Sequence, residues 1–197
     1  TYVSLRTDLR QQKPGQKNFQ LKINTLGRAV SCLQSNIQEA IREAKKELKF
    51  DYLRIRDIFS DDLYIYYEDG DHNVRYNWNY IDMVLDFFVS LDIKPVMEIG
   101  FMPSSLASKK QTCGWQYHPN VSFPKSLNRW CDLVSQFMLH CIRRYGQSQV
   151  HTWYFDFWTS PNLSLEEAYW YDSQEDFFRF YKTTWQAVKR TDPHIIL

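Results

Sequence analysis

The chain has 197 residues, 44% of them hydrophobic and 24% charged, with six Gly and seven Pro, which excludes a low-complexity segment and fits one folded domain or a large piece of one. A formal net charge of +1 gives no general attraction to nucleic acid or to an anionic surface. No apolar run approaches the length of a membrane span and no signal peptide opens the chain, so a cytoplasmic protein without membrane contact is expected.

Residues 1–18 mix Arg, Gln and Lys with Pro14-Gly15 and read as an extended lead-in. Phe19 to Asn24 alternates apolar and polar, the period of a strand, and Thr25 to Arg28 follows as a loop. From Ser35 the apolar residues Ile37, Ala40, Ile41, Ala44 and Leu48 fall three and four apart, which predicts an amphipathic helix capped by Ser35 or Asn36. The alternating Lys and Glu between Arg42 and Lys49 form its solvated face. Tyr52 to Asp57 is the second strand, and residues 60–77 form a long loop rich in Asp and Tyr. Ile81, Val84, Leu85, Phe88 and Leu91 mark a second helix, its start signalled by Asn77 or Asn79.

Lys94 to Gly100 is the third strand, and the loop after it carries Trp115, Tyr117, His118 and Pro119. The third helix places Leu127, Trp130, Leu133, Val134, Phe137, Met138, Cys141 and Tyr145 on one face and stops at Gly146. Val150 to Leu163 then reads as a fourth, aromatic strand ending at a polar turn with Thr159, Ser160, Pro161 and Asn162. Ser173 and Asp176 form a capping-box variant ahead of Phe177, Phe180, Tyr181, Thr184, Trp185 and Val188, and Asp192-Pro193 ends that helix. His194 to Leu197 looks like the beginning of a fifth strand.

Four strand-then-helix units in succession predict an α/β fold of (β/α)8 TIM-barrel type with only the first four units present, a half-barrel. The long connections follow the strands, where such folds build their sites. Cys32, Cys113, Cys131 and Cys141 show no C-x-x-C pair, so free thiols in a reducing compartment are expected. The five His and four Cys have no ligand spacing, so neither a metal nor a cofactor is expected. The tripeptides Asn120-Val-Ser122 and Asn162-Leu-Ser164 match the glycosylation sequon, which matters only in a secreted protein. Both ends look cut from something larger.

The segments Leu53-Arg54, Ser60-Asp-Asp62, Tyr67-Glu-Asp69, Lys94 to Pro103, Leu106-Ala-Ser108, Gln111-Thr112, Pro124-Lys125 and Arg144-Tyr-Gly146 occur in order. With Trp153, Tyr154, Phe155, Trp158, Pro161-Asn-Leu163 and Asp192-Pro193, they resemble glycoside hydrolase family 39, the β-xylosidase and α-iduronidase family. On that resemblance, residues 19–197 are the N-terminal half of a family 39-like barrel.

The resemblance implies a retaining hydrolase with an Asn-Glu pair before the Pro-Asn of strand four and a nucleophilic Glu on strand seven. Here the pair is Thr159 and Ser160, and a serine hydroxyl has no useful acidity near neutral pH. Asp156 shares strand parity with Ser160, but at roughly 3.3 Å per residue it lies about 13 Å deeper. Asp156 and Glu98 are therefore read as internal barrel residues. The family's strand two typically ends Gly-His-Gly or Phe-His-Gly, with the His reaching the sugar, whereas this chain has Ile55-Arg56-Asp57. Arg56 and Asp57 either pair with each other as a rim bridge or present donors to a carboxylate or polyol. The nucleophile strand is absent from the sequence.

No catalytic residue is assigned. The ligand-binding candidates are Arg56, Asp57, Trp115, Tyr117, Trp158, Thr159, Ser160 and Asn162, with the aromatic faces suited to stacking on a sugar. The expected function is a non-catalytic pseudo-glycosidase domain, a carbohydrate-sensing or assembly part that resembles the family 39-like domain of bacterial AraC-type transcription regulators. No helix-turn-helix pattern is visible, so DNA contact would belong to other parts of the parent. The alternatives are a fragment of an active β-xylosidase-like hydrolase and a carbohydrate-binding module. The expected partners are a sugar or small polyol and a second copy of the chain, covering the open half-barrel edges as a homodimer.

Overall fold

A computed structural model describes residues 22–113, 117–161 and 169–197. Strands β1 (Ile23–Arg28), β2 (Tyr52–Arg56), β5 (Lys94–Ile99) and β6 (Tyr154–Phe157) form one parallel sheet in the order β1-β2-β5-β6. Helices α1 (Ser35–Leu48), α2 (Asn79–Ser90), α3 (Leu127–Tyr145) and α5 (Gln174–Thr191) follow these strands in turn. A short hairpin, β3 (Tyr66–Glu68) with β4 (Val74–Tyr76), sits between β2 and α2, and the single turn α4 (Gln147–Val150) precedes β6. These are four strand-then-helix units, as the alternation of periods predicts.

Residues paired across a parallel sheet point to the same side, so the register sorts the strands into two faces. Leu53, Ile55, Met97, Ile99 and Phe155 lie buried against the helices. There they join Ile41, Val84, Leu85, Phe88, Leu133, Val134, Phe137, Phe180 and Val188 in a continuous core. Trp130, in the first turn of α3, is fully buried and donates its indole N–H to Thr184 of α5 at 2.8 Å. The alternate residues, Arg54, Val96, Glu98, Tyr154 and Asp156, make up the concave face.

Four expectations are corrected. The segment from Thr25 to Arg28 is strand, not loop, because β2 offers it partners as far as Arg56. A register shift between Thr25 and Gly27 admits the Gly27 φ of 113°, a conformation that suits glycine. The part of that strand placed at Phe19 to Leu21 lies outside the described residues. Ser35 and Asn36 do not cap α1: a 3-10 helix (Ala29–Leu33) runs into it, and Gln34 takes the cap position without a side-chain bond. Residues 60–77 contain a 3-10 turn (Asp61–Leu63) and the β3/β4 hairpin rather than plain loop. Val150 closes α4 instead of opening a strand, since its N–H bonds the Gly146 carbonyl.

Two caps and the start of the fifth strand match expectation. Ser173 caps α5 by accepting from the Asp176 N–H at 3.0 Å, and Asp192 follows its last turn. Asn77 receives the Asn79 N–H at 3.0 Å ahead of α2. Ile196 bridges Tyr154 in parallel, so the expected fifth strand does begin on the β6 edge. Cys32, Cys131 and Cys141 are free thiols. Among the described residues no helix is long and apolar enough to cross a membrane, and no group of His, Cys, Asp and Glu could hold a metal ion.

Candidate functional site

Polar groups collect in two linked clusters, one on the concave face and one at the carboxyl ends of the strands. On the concave face Arg54 reaches both neighbours. Its guanidinium donates to Glu98 Oε2 at 2.6 Å and to Asp156 Oδ2 at 2.6 and 3.1 Å, tying β2 to β5 and β6. Glu98 is fully buried and its second oxygen, Oε1, accepts no hydrogen bond. Burial pushes its carboxyl up from the ordinary range, while the Thr159 hydroxyl and Arg54 pull the other way. Thr159 Oγ1 is itself buried and leans on Glu98 without completing a bond of normal geometry.

At the strand ends, Asp57 follows β2 with a left-handed φ of 63°. Its carboxylate is 1% exposed, accepts from Tyr117 Oη–H at 2.6 Å and lies 3.5 Å from Arg28 Nε. Arg28, the last residue of β1, also pairs with Asp62 and stacks its guanidinium 3.5 Å from the Tyr117 ring centre. Desolvation raises the Asp57 carboxyl; the Tyr117 hydrogen bond and the charges of Arg56, Arg28 and Arg54 moderate the rise. Of the two roles weighed for Arg56 and Asp57, the geometry gives Asp57 to Arg28 and Tyr117, with Arg56 as an electrostatic neighbour. Ser60, Asp61, Asp62, Tyr117, His118 and Asn120 line a polar recess of about 50 Å³ beside this knot.

After β6 the chain turns through two more left-handed residues, Trp158 at 62° and Ser160 at 36°. This breaks the alternation from which Ser160 was expected to share a side with Asp156. It is Thr159, half-buried, that meets Glu98, while Ser160 is exposed to solvent. Trp158 is 3% exposed: its indole donates to the Tyr169 carbonyl at 2.5 Å and its ring packs edge-on against Phe101, Trp170 and Phe180. Gly100 packs against the same ring, which a Cβ there would meet at an ordinary contact distance of 3.4 Å. The Trp158 ring is thus occupied in packing rather than offered as a stacking surface. Trp115 and Asn162 lie outside the described residues.

Sequence reasoning missed Arg28, read as loop, and the central role of Arg54. The signal for Arg54 was present: with Glu98 and Asp156 it occupies alternate, same-face positions on three neighbouring strands. Chemically, the rim offers hydroxyls at Thr159, Ser160 and Tyr117 and buried carboxylates at Asp57 and Glu98. No described carboxylate occupies the exposed place of Ser160. Asp156 is held by Arg54, and Glu98 has one oxygen on the same guanidinium.

A parallel sheet covered by helices on one side, with polar groups gathered on the other and at the strand ends, is the scaffold of a (β/α)-barrel protein. The family model for glycosyl hydrolases family 39 matches residues 5–197, and the chain belongs to that family. It is 38% identical over 183 residues to a β-xylosidase of Geobacillus stearothermophilus, covering 91% of this chain and 35% of the relative. It is 30% identical over 167 residues to a β-xylosidase of Caldicellulosiruptor saccharolyticus, covering 85% of this chain and 34% of that one. Among solved structures, a monomeric β-xylosidase from Caulobacter crescentus superposes with a TM-score of 0.81 at 32% identity, over 88% of this chain and 34% of its own. The chain therefore spans about a third of the length of these relatives.

Proposed function

We propose that this chain is a sugar-recognising, non-catalytic part of a family 39 barrel, and that it serves an AraC-type transcriptional regulator. The observation that carries the reading is the exposed hydroxyl of Ser160 at the place where the family resemblance puts the proton donor. Leaving-group protonation in glycoside hydrolysis needs a carboxylic acid, and Arg54 engages the two carboxylates nearest this strand. Hydroxyls and carboxylates at a barrel mouth are suited to bind polyols without cleaving them.

The regulator role brings two further proposals: a cytoplasmic location, and a homodimer in which a second copy covers the open sheet edges. The outer edge of β1, which has no partner strand among the described residues, and the exposed aromatic side chains Phe178 and Trp185 on α5 support the second. A helix-turn-helix in the reading frame that contains this chain would support the regulator, and a secretion signal with no such motif would oppose it. The deciding test uses the intact protein with an aryl xyloside, whose good leaving group relaxes the need for an acid. The expected result is no turnover above that of Ser160→Ala, together with measurable heat on titration with xylose or xylobiose. Turnover above that variant favours a second reading, an active β-xylosidase-like hydrolase, which the names of the relatives and the raised Glu98 carboxyl support.

A further inference from the structure

Four residues with a Cβ adopt left-handed backbone at or near the strand-end rim: Asp57, His118, Trp158 and Ser160. Left-handed backbone persists where the surrounding structure holds it in place, and Asp57 is the one of the four that adds a buried carboxylate to it. It combines the left-handed φ of 63° with a carboxylate that is 1% exposed and has one oxygen, Oδ1, without a hydrogen bond. Folding alone would favour glycine at such a place. What the carboxylate does accomplish is to fix Tyr117. Its Oδ2 receives the phenol at 2.6 Å while Arg28, steered by Asp57 and Asp62, lies 3.5 Å from the ring centre.

Tyr117 in turn forms a wall of the polar recess with Ser60, Asp61, Asp62, His118 and Asn120. Its phenolic proton is committed to Asp57. Asp61 and Asp62 add negative charge, and a recess of about 50 Å³ holds little more than a water or a hydroxymethyl group. Such a recess takes a hydroxyl-bearing corner of a neutral ligand and opposes a carboxylate.

We propose that Asp57 is a positioning residue: through Tyr117 it shapes this recess to receive a hydroxyl of a neutral sugar or polyol, a role maintained against the local stability of the rim. The ligand class rests on the sugar-recognition reading above; the positioning of Tyr117 does not.

The test compares wild-type protein with Asp57→Gly, Asp57→Asn and Tyr117→Phe in the intact protein. Amide hydrogen exchange is read at residues 117–121, melting is followed without ligand, and calorimetric titration uses xylose, xylobiose and glucuronic acid. In Asp57→Gly, exchange at 117–121 accelerates while the melting temperature moves by less than about 3 °C, since relief of strain and desolvation offsets the lost contacts. Affinity for the neutral sugars falls at least about fivefold in Asp57→Gly and Tyr117→Phe, the equivalent of one lost hydrogen bond. Glucuronic acid gives no heat. Unchanged exchange and affinity in Asp57→Gly would overturn the proposal, as would a collapse in melting temperature in both Asp57 variants. Tighter binding of glucuronic acid than of xylose would overturn the ligand class. If no sugar binds wild type while exchange still accelerates, the sugar reading fails and the positioning of Tyr117 stands.

Discussion

The two faces of the sheet are built on opposite principles. The face toward the helices is apolar: the Trp130 indole is matched there by Thr184, and the Trp153 indole nitrogen is its one buried polar atom without a partner among the described residues. The concave face carries Arg54, Glu98 and Asp156, and its rim carries Asp57 and Thr159, with unpartnered oxygens on Glu98, Asp57 and Thr159. Buried polar groups are normally satisfied, so a concentration of exceptions on one side marks where selection has acted on something besides stability. Packing holds the first face together; electrostatics holds the second.

The contrast can be broken by mutation on either side. Trp130→Ala removes a fully buried indole between α3 and α5 and is expected to cost about 4 kcal/mol in chemical denaturation. That loss should be nearly independent of pH. Arg54→Met leaves Glu98 buried with neither oxygen paired and is expected to cost about 3 kcal/mol at neutral pH. The sign of its pH dependence follows from the raised Glu98 carboxyl. The charged form is the disfavoured one in the fold, so the deficit shrinks as the pH falls from neutral toward the ordinary value of 4.5. A deficit that grows on acidification would show that Arg54 does not act through Glu98.

Asp192 tests whether acid sensitivity belongs to the concave face alone. Burial raises its carboxyl, but the bonds from His151, the His194 N–H and Gln147 outweigh this and bring it down to about 2 from 3.8. Its contribution is present above 3.8 and is lost as the pH falls through about 2. Asp192→Asn should flatten the acid limb of the stability curve by about 2 kcal/mol. The smallest effect is expected at the α5 cap. Ser173→Ala releases the Asp176 N–H and should lower stability by about 1 kcal/mol, read from the denaturation midpoint.

The helix-facing side was largely legible in the sequence because both of its periods are local. Apolar spacing at three and four gave α1, α2, α3 and α5, and the Ser173 cap and the Gly146 stop were visible as single residues. The errors fall where a distant partner decides. Thr25 to Arg28 becomes strand only because β2 lies beside it, and the first turn of α1 is shaped by the 3-10 helix it continues. At the rim, strand parity put Ser160 on the same side as Asp156, but left-handed backbone at Trp158 and Ser160 has no signature in residue type, so the side chain that meets Glu98 is Thr159. Trp158 was chosen as a ligand contact for its aromatic face, yet the cluster of Phe101, Trp170 and Phe180 that encloses it assembles from three separate segments.

The Arg54 bridge also bears on the order in which the chain folds. It joins residues 102 positions apart on β2 and β6, a separation whose closure entropy must be met before the contact contributes. The β1-β2 and β2-β5 pairings close shorter loops and bury apolar side chains without needing β6. Arg54 and Glu98, 44 positions apart, are therefore expected to pair before Asp156 arrives, and a refolding rate that slows with added salt would mark the docking of β6.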